Sequence, residues 1–294
     1  MQKILSLIAG IIVSCILTAQ PISEKPKILY GACSKDSLTV APFDKWFNTG
    51  YDAYQPNPVF VAQLKKQNLK DITVQAFFGT WCGDSKREVP RLLKLLNETG
   101  FSNSNIKLIA VGGSDSLYKQ SPQQEHKGLG IFRVPTIIVY RNGAEINRIT
   151  EYPALSLEKD LLSIISNQPY VSNYHSFSTI NRWLNDGTLL DDNISSRSIA
   201  IQLKQLVGNE HELNSLGYLL LGQDKKKEAL KIFQANYSLY PESVNVISSL
   251  GEAYFKNADN KNAVTYLEKA LEQNKDPLAV KGILEILYQA KGVK

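Results

Sequence analysis

Phe78-Gly79-Thr80-Trp81-Cys82-Gly83-Asp84-Ser85 is the stretch on which the reading of this chain turns. Before it runs Asp71 to Phe78 (DITVQAFF), apolar and of strand length, which predicts a buried strand. After it, Val89, Leu92, Leu93 and Leu96 recur at i, i+3, i+4 and i+7, which predicts a helix from Lys86 to Thr99 that Gly100 ends. A cysteine between a strand end and a helix start is placed for thiol chemistry, because first-turn N–H groups and the helix dipole favour a thiolate. Lys86 and Arg87 would add to that effect and Asp84 would oppose it. Ser85 stands where a two-cysteine redox site carries its second sulfur. A hydroxyl cannot resolve a mixed disulfide, so release must come from another thiol. Ser85 with Glu88 also fits a capping box, and the hydroxyl is a candidate hydrogen-bond donor to the Cys82 thiolate.

Working outward, Pro58 to Gln67 reads as a helix with proline in its first turn. Ile106 to Val111 reads as a second buried strand, closed by Gly112-Gly113. Ser114 to Gly128 is polar and irregular, with room for a short helix. Val134-Pro135-Thr136 leads into a strand from Ile137 to Tyr140, Asn142-Gly143 is a hairpin turn, and Glu145 to Thr150 returns. Leu155 to Ile165 closes the segment as a helix.

That order of elements, with these residues, resembles the thioredoxin-fold family. Trp81-Cys82-Gly83-Asp84-Ser85 stands where the family has W-C-x-x-C. Pro90 matches its helix-kinking proline, informative because an interior proline otherwise costs about 3 kcal/mol. Val134-Pro135-Thr136 matches its cis-proline loop and Asn142-Gly143 its hairpin. The resemblance implies an α/β thioredoxin-like domain over residues 58–168, a central mixed sheet flanked by helices. It implies catalytic roles for Cys82, Ser85 and Trp81, a cis Pro135, and substrate pairing along the backbone of Val134 beside Pro135. It implies no cofactor. Ala76 departs from the family, where thioredoxins proper carry a buried acid thought to assist the resolving step. Loss of both acid and second thiol argues against a general reductase.

The C-terminal part repeats itself. Leu213, Leu216, Gly217, Leu220, Ala229 and Phe233 recur 34 residues later as Ile247, Leu250, Gly251, Tyr254, Ala263 and Leu267. The spacing resembles tetratricopeptide repeats, which implies an all-α region over 210–294: two repeats and a capping helix from Leu278 to Gln289, holding a protein partner. Asn236 departs from the small residue expected there, which its equivalent Ala270 keeps. Two repeats are fewer than such arrays need alone, so the repeats are expected to dock on the rest of the chain. Residues 169–209 read as a structured connector with a helix from Arg197 to Val207.

Length and composition set the frame. The chain has 294 residues, enough for about two domains, and its 43% apolar and 21% charged residues suit a globular protein with a core. A net charge of +5 without a dense basic run argues against nucleic acid. Residues 1–20 read as an export signal: Lys3, then an apolar stretch from Ile4 to Leu17. Cleavage after Ala19 leaves a soluble protein; Ile12-Val13-Ser14-Cys15 instead resembles a bacterial lipobox, with a membrane anchor at Cys15; an uncleaved anchor is the third reading. All put the mature chain outside the cytosol, periplasmic or extracellular, where stable disulfides exist. The aromatic-rich residues 21–57 read as an ordered extension carrying Cys33, a possible resolving thiol for Cys82 or its partner in a resting disulfide. His126, His175 and His211 lack metal-ligand spacing. The expected function is thiol–disulfide exchange on protein thiols through one cysteine; the alternative is a redox-inactive binding or scaffold module.

Overall fold

The computed structural model describes residues 27–114, 117–274 and 276–292; the expectations for residues 1–20, including Ala19 and Cys15, lie outside the described residues. Among the described residues no helix is long and apolar enough to cross a membrane.

Five strands form one mixed sheet: β1 (Gly31–Cys33), β2 (Ile72–Phe78), β3 (Ile106–Ala110), β4 (Thr136–Arg141) and β5 (Ala144–Thr150), in the order β1-β3-β2-β4-β5. β2 is central, parallel to β3 and antiparallel to β4. Period-two alternation sorts the side chains: Val74, Ala76 and Phe78 of β2, Leu108 of β3 and Ile137 of β4 enter one core, and Phe77, Ile109 and Ile138 enter a second on the opposite face. The first core is covered by α1 (Asp44–Ala53), α2 (Pro58–Lys65), α3 (Gly83–Glu98) and α4 (Leu157–Ile165). The second is covered by Leu129, Ile131 and Val134 of the connection between β3 and β4. That connection holds no α-helix among its described residues.

Local chemistry explains several boundaries. Asn57 caps α2 through Val59 N–H, with Pro58 at its first position, and Ser156 caps α4 through Lys159 N–H. Pro90 lies inside α3 and is buried. Lacking an N–H, it leaves Lys86 C=O without the usual helical donor, and α1 approaches there with Gly50, where a Cβ would come within 3.2 Å of the proline ring. The extension before Pro58 is ordered: its three-residue β1 pairs antiparallel with β3, and Phe43 and Phe47 join the first core.

Beyond α4 the chain first straps the free edge of β5. Asn147 Nδ2 donates to Tyr170 O at 3.2 Å and Thr150 N–H to Ser172 Oγ at 3.1 Å. Among the described residues seven α-helices follow: α5 (Ser176–Asn185), α6 (Ser196–Leu203), α7 (Glu210–Gly222), α8 (Lys226–Leu239), α9 (Val244–Lys256), α10 (Asn260–Gln273) and α11 (Pro277–Ala290). α7 and α9 start 34 residues apart, as do α8 and α10. Gly217 faces the Phe233 ring and Gly251 faces Leu267, so a Cβ would meet the neighbouring helix at 2.5 and 2.7 Å. Asn236 is fully buried and donates through Nδ2 to Glu210 O at 3.0 Å, tying α8 to the start of α7.

Residues 169–209 are more than a connector. Phe177, Ile180 and Trp183 of α5 and Ile199 and Leu203 of α6 share one core with α7, α8 and α9, and Phe132 from the sheet region enters it.

Candidate functional site

The site is built at the carboxyl end of β2. Gly79-Thr80-Trp81 turns the chain, and Cys82, with extended backbone angles (φ −90°, ψ 129°), is the N-cap residue of α3. The helix therefore starts at Gly83, three residues before the expected start. Ser85 is inside its first turn, which corrects the capping-box expectation. The Ser85 hydroxyl, without surface exposure, accepts the Gly79 N–H at 3.1 Å. It holds the turn, not the sulfur of Cys82. Glu88 is also buried, and its Oε1 accepts from Arg87 Nε at 2.5 Å.

Trp81 is fixed on several sides. Its indole N–H donates to Val111 O at 3.1 Å, and its ring lies 5.2 Å from that of Tyr118. Gly79 and Gly113 flank the indole so closely that a Cβ on either would approach it to 2.5 or 2.6 Å. Thr80 receives the N-terminal extension through its Oγ1, which accepts the Leu29 N–H at 3.2 Å.

Cys82 is half-buried beside the second core, and its thiol donates to Val134 O at 3.2 Å. The Val134–Pro135 peptide is cis, as is Ala41–Pro42, which the sequence reading did not anticipate. Cys82 and the Val134-Pro135 loop are thus brought together. The hydrogen bond shown for the thiol is to a carbonyl, not to a first-turn N–H of α3. Arg87 is also occupied elsewhere, with Nη2 2.9 Å from Asp84 Oδ1 and Nε on Glu88.

Cys33 is not brought to this site. Both cysteines are free. Cys33 pairs across the ladder with Leu108 and packs on the first core, beside Leu93 and Asn97 of α3, whereas Cys82 packs against the second. The sheet separates them, so the expectation of a Cys33–Cys82 disulfide or resolving step does not hold in this structure. Burial pushes the Cys33 thiol up to about 11.

No protein-family model and no curated protein matches the chain. The site is therefore read from its own residues, and the structure adds three that sequence reasoning missed. Tyr118 packs on Trp81. Lys119 is buried and its ammonium donates to Phe132 O at 2.9 Å. Arg133 precedes Val134; its guanidinium donates to Ser215 Oγ of α7 at 2.7 Å and to Glu151 Oε1 at 3.3 Å, and lies 5.0 Å from the Tyr174 ring centroid. Tyr174 in turn donates its hydroxyl to Glu151. Arg133 had a signal, its place next to Val134-Pro135; Tyr118 and Lys119 lie in a segment without periodicity. Among the described residues no cluster of three or more His, Cys, Asp or Glu side chains is arranged to hold a metal ion.

Proposed function

We propose that this chain is a thioredoxin-like, exported thiol–disulfide exchange protein with Cys82 as its single nucleophile, and that its tetratricopeptide-like helices hold a protein partner. The observation that carries this reading is the meeting of Cys82 Sγ with Val134 O, 3.2 Å apart, at the N-cap of the helix after the central strand and beside a cis proline. The Cys82 thiolate attacks a substrate disulfide, forms a mixed disulfide and expels the second substrate sulfur as a thiolate. Ser85 cannot complete the reaction, and its bond to Gly79 gives it a different task, holding the turn that carries Trp81 and Cys82. A thiol of the substrate or of a second protein then attacks the mixed disulfide and returns Cys82 as a thiolate. This chemistry suits an isomerase or a monothiol reductase.

One observation favours the second reading, a scaffold whose redox activity has decayed: among the described residues no second thiol stands beside Cys82, and Ser85 is engaged by the Gly79 N–H. Trapping in cells separates the two. The wild-type chain is expected to yield reducible adducts with other proteins that disappear in Cys82→Ala. Full cellular or binding function in Cys82→Ala, with no adducts from the wild type, would refute the exchange reading in favour of the scaffold.

A further inference from the structure

Lys119 is a buried cation without a carboxylate of its own. It is 7% exposed, its Nζ donates to Phe132 O, and it lies 4.7 Å from the Tyr118 ring centroid. Among the described residues it makes no ion pair. Glu151, the acid whose charge reaches it, is bonded to Arg133 and Tyr174. A buried ammonium in that position is costly, and burial pushes it down to about 8, with Arg133 lowering it further and Glu151 and Cys82 opposing. Its backbone is left-handed, with φ 57°, a conformation lysine rarely adopts, and its N–H is held by Gly112 O at 2.9 Å.

Besides Glu151, which Arg133 and Tyr174 already engage, the neighbourhood supplies Cys82 to balance that charge. Lys119 and Cys82 grip carbonyls two residues apart on one loop, Phe132 O and Val134 O. Tyr118, next to Lys119, packs on Trp81, next to Cys82. A thiolate at Cys82 would raise both Tyr118 and Lys119. The remaining charged groups facing Lys119 are Arg133 and Glu151, which neutralise each other at 3.3 Å; Tyr118 is kept protonated by burial.

We propose that Lys119 is the counter-ion of the Cys82 thiolate, a positioning residue that sets the reactivity of the single thiol. The inference rests on the reading of Cys82 as nucleophile. The thiol gives its proton to solvent, and the Lys119 ammonium balances the charge of the thiolate. The thiolate then forms the S–S bond to the substrate, whose other sulfur leaves as a thiolate. That leaving thiolate takes up a proton from solvent, and Lys119 keeps its own throughout. Overall, a thiol and a disulfide become a mixed disulfide and a new thiol, and the lysine is unchanged.

The test is alkylation of Cys82 by iodoacetamide against pH in the full chain, read at the Cys82 peptide by mass spectrometry. Lys119→Gln keeps a donor for Phe132 O and removes the charge. Its Cys82 rate at pH 7 is expected to fall about tenfold, with the profile about one pH unit more alkaline, while Lys119→Arg keeps most of the rate. A Lys119→Gln profile that superimposes on the wild type overturns the proposal. Should that variant not fold, nitrogen NMR titration of Lys119 in wild type and Cys82→Ala decides: coupling is mutual, so the Lys119 midpoint falls in Cys82→Ala, and an unmoved midpoint overturns the ion pair. Adducts lost in Cys82→Ala but kept at the wild-type rate in Lys119→Gln refute the lysine alone; a wild type without adducts refutes the exchange reading alone.

Discussion

Ser85 and Cys33 are the two residues whose sequence roles changed most. The Ser85 hydroxyl accepts a buried N–H from Gly79, so Ser85→Ala strands that donor without water to replace its partner. Leaving a buried donor unmatched costs about 1–3 kcal/mol, and urea denaturation of Ser85→Ala is expected to show a loss of that size. An unchanged midpoint would mean that the turn has another support. Cys33 has burial against it, its thiol pushed up to about 11 from an ordinary 9.0. Native Cys33 is therefore expected to alkylate roughly a hundredfold more slowly at pH 8 than the same residue in urea-unfolded chain. Equal rates in the two states would show that the thiol is not protected. Ser85-x-x-Glu88 matched a capping pattern and still misled. The deciding quantity was the extended backbone of Cys82, which made the cysteine itself the cap, and side-chain spacing does not report backbone angles.

At the scale of elements, the legible pieces were those with dense local signals. β2, α3 and the hairpin of β4 and β5 follow directly from apolar runs, helical spacing and Asn142-Gly143. β1 left no such trace, since three residues become a strand only because β3 offers them an edge. The connection between β3 and β4 was equally opaque, because its bonds are made one residue at a time. His126 is one of its fasteners: Nδ1 accepts the Ser121 N–H at 2.9 Å, and Ser121 Oγ accepts the His126 N–H at 3.3 Å. Burial holds this imidazole below its usual range. The folded state therefore binds fewer protons there than the unfolded state, and the stability the fastening contributes is fully present above the ordinary histidine range and lost as pH falls below it. Hydrogen exchange is expected to show Ser121 protection dropping as the pH falls below the ordinary histidine range, with the drop abolished in His126→Gln. Constant protection in the wild type would remove the histidine from this role.

For the whole molecule, the joint between sheet and helices is the main feature that periodicity did not reveal. The 34-residue repeat was readable because each unit satisfies its own pattern. Their docking was expected only from the small number of repeats, and the residues that make it are scattered: Phe132, Phe177, Trp183 and Ile199 in one core with α7 to α9, and Arg133 on Ser215. Residues 210–294 expressed alone would expose the apolar faces of α7 and α8 that α5 and α6 now cover. That fragment is expected to show no cooperative thermal unfolding, whereas the full chain does. A sharp transition from the fragment would show that the helices are self-sufficient.

The strap over β5 carries a consequence for association between chains. An open sheet edge invites strands from other molecules and is a common seed of aggregation. Here one edge is β1, only three residues long, and the other is occupied by Tyr170 and Ser172 through their bonds to Asn147 and Thr150. Among the described residues β1 is too short to present a long row of N–H and C=O groups, and the β5 edge has its Thr150 and Arg148 N–H groups engaged. Among the described residues the sheet thus offers strands of other molecules little edge to pair with.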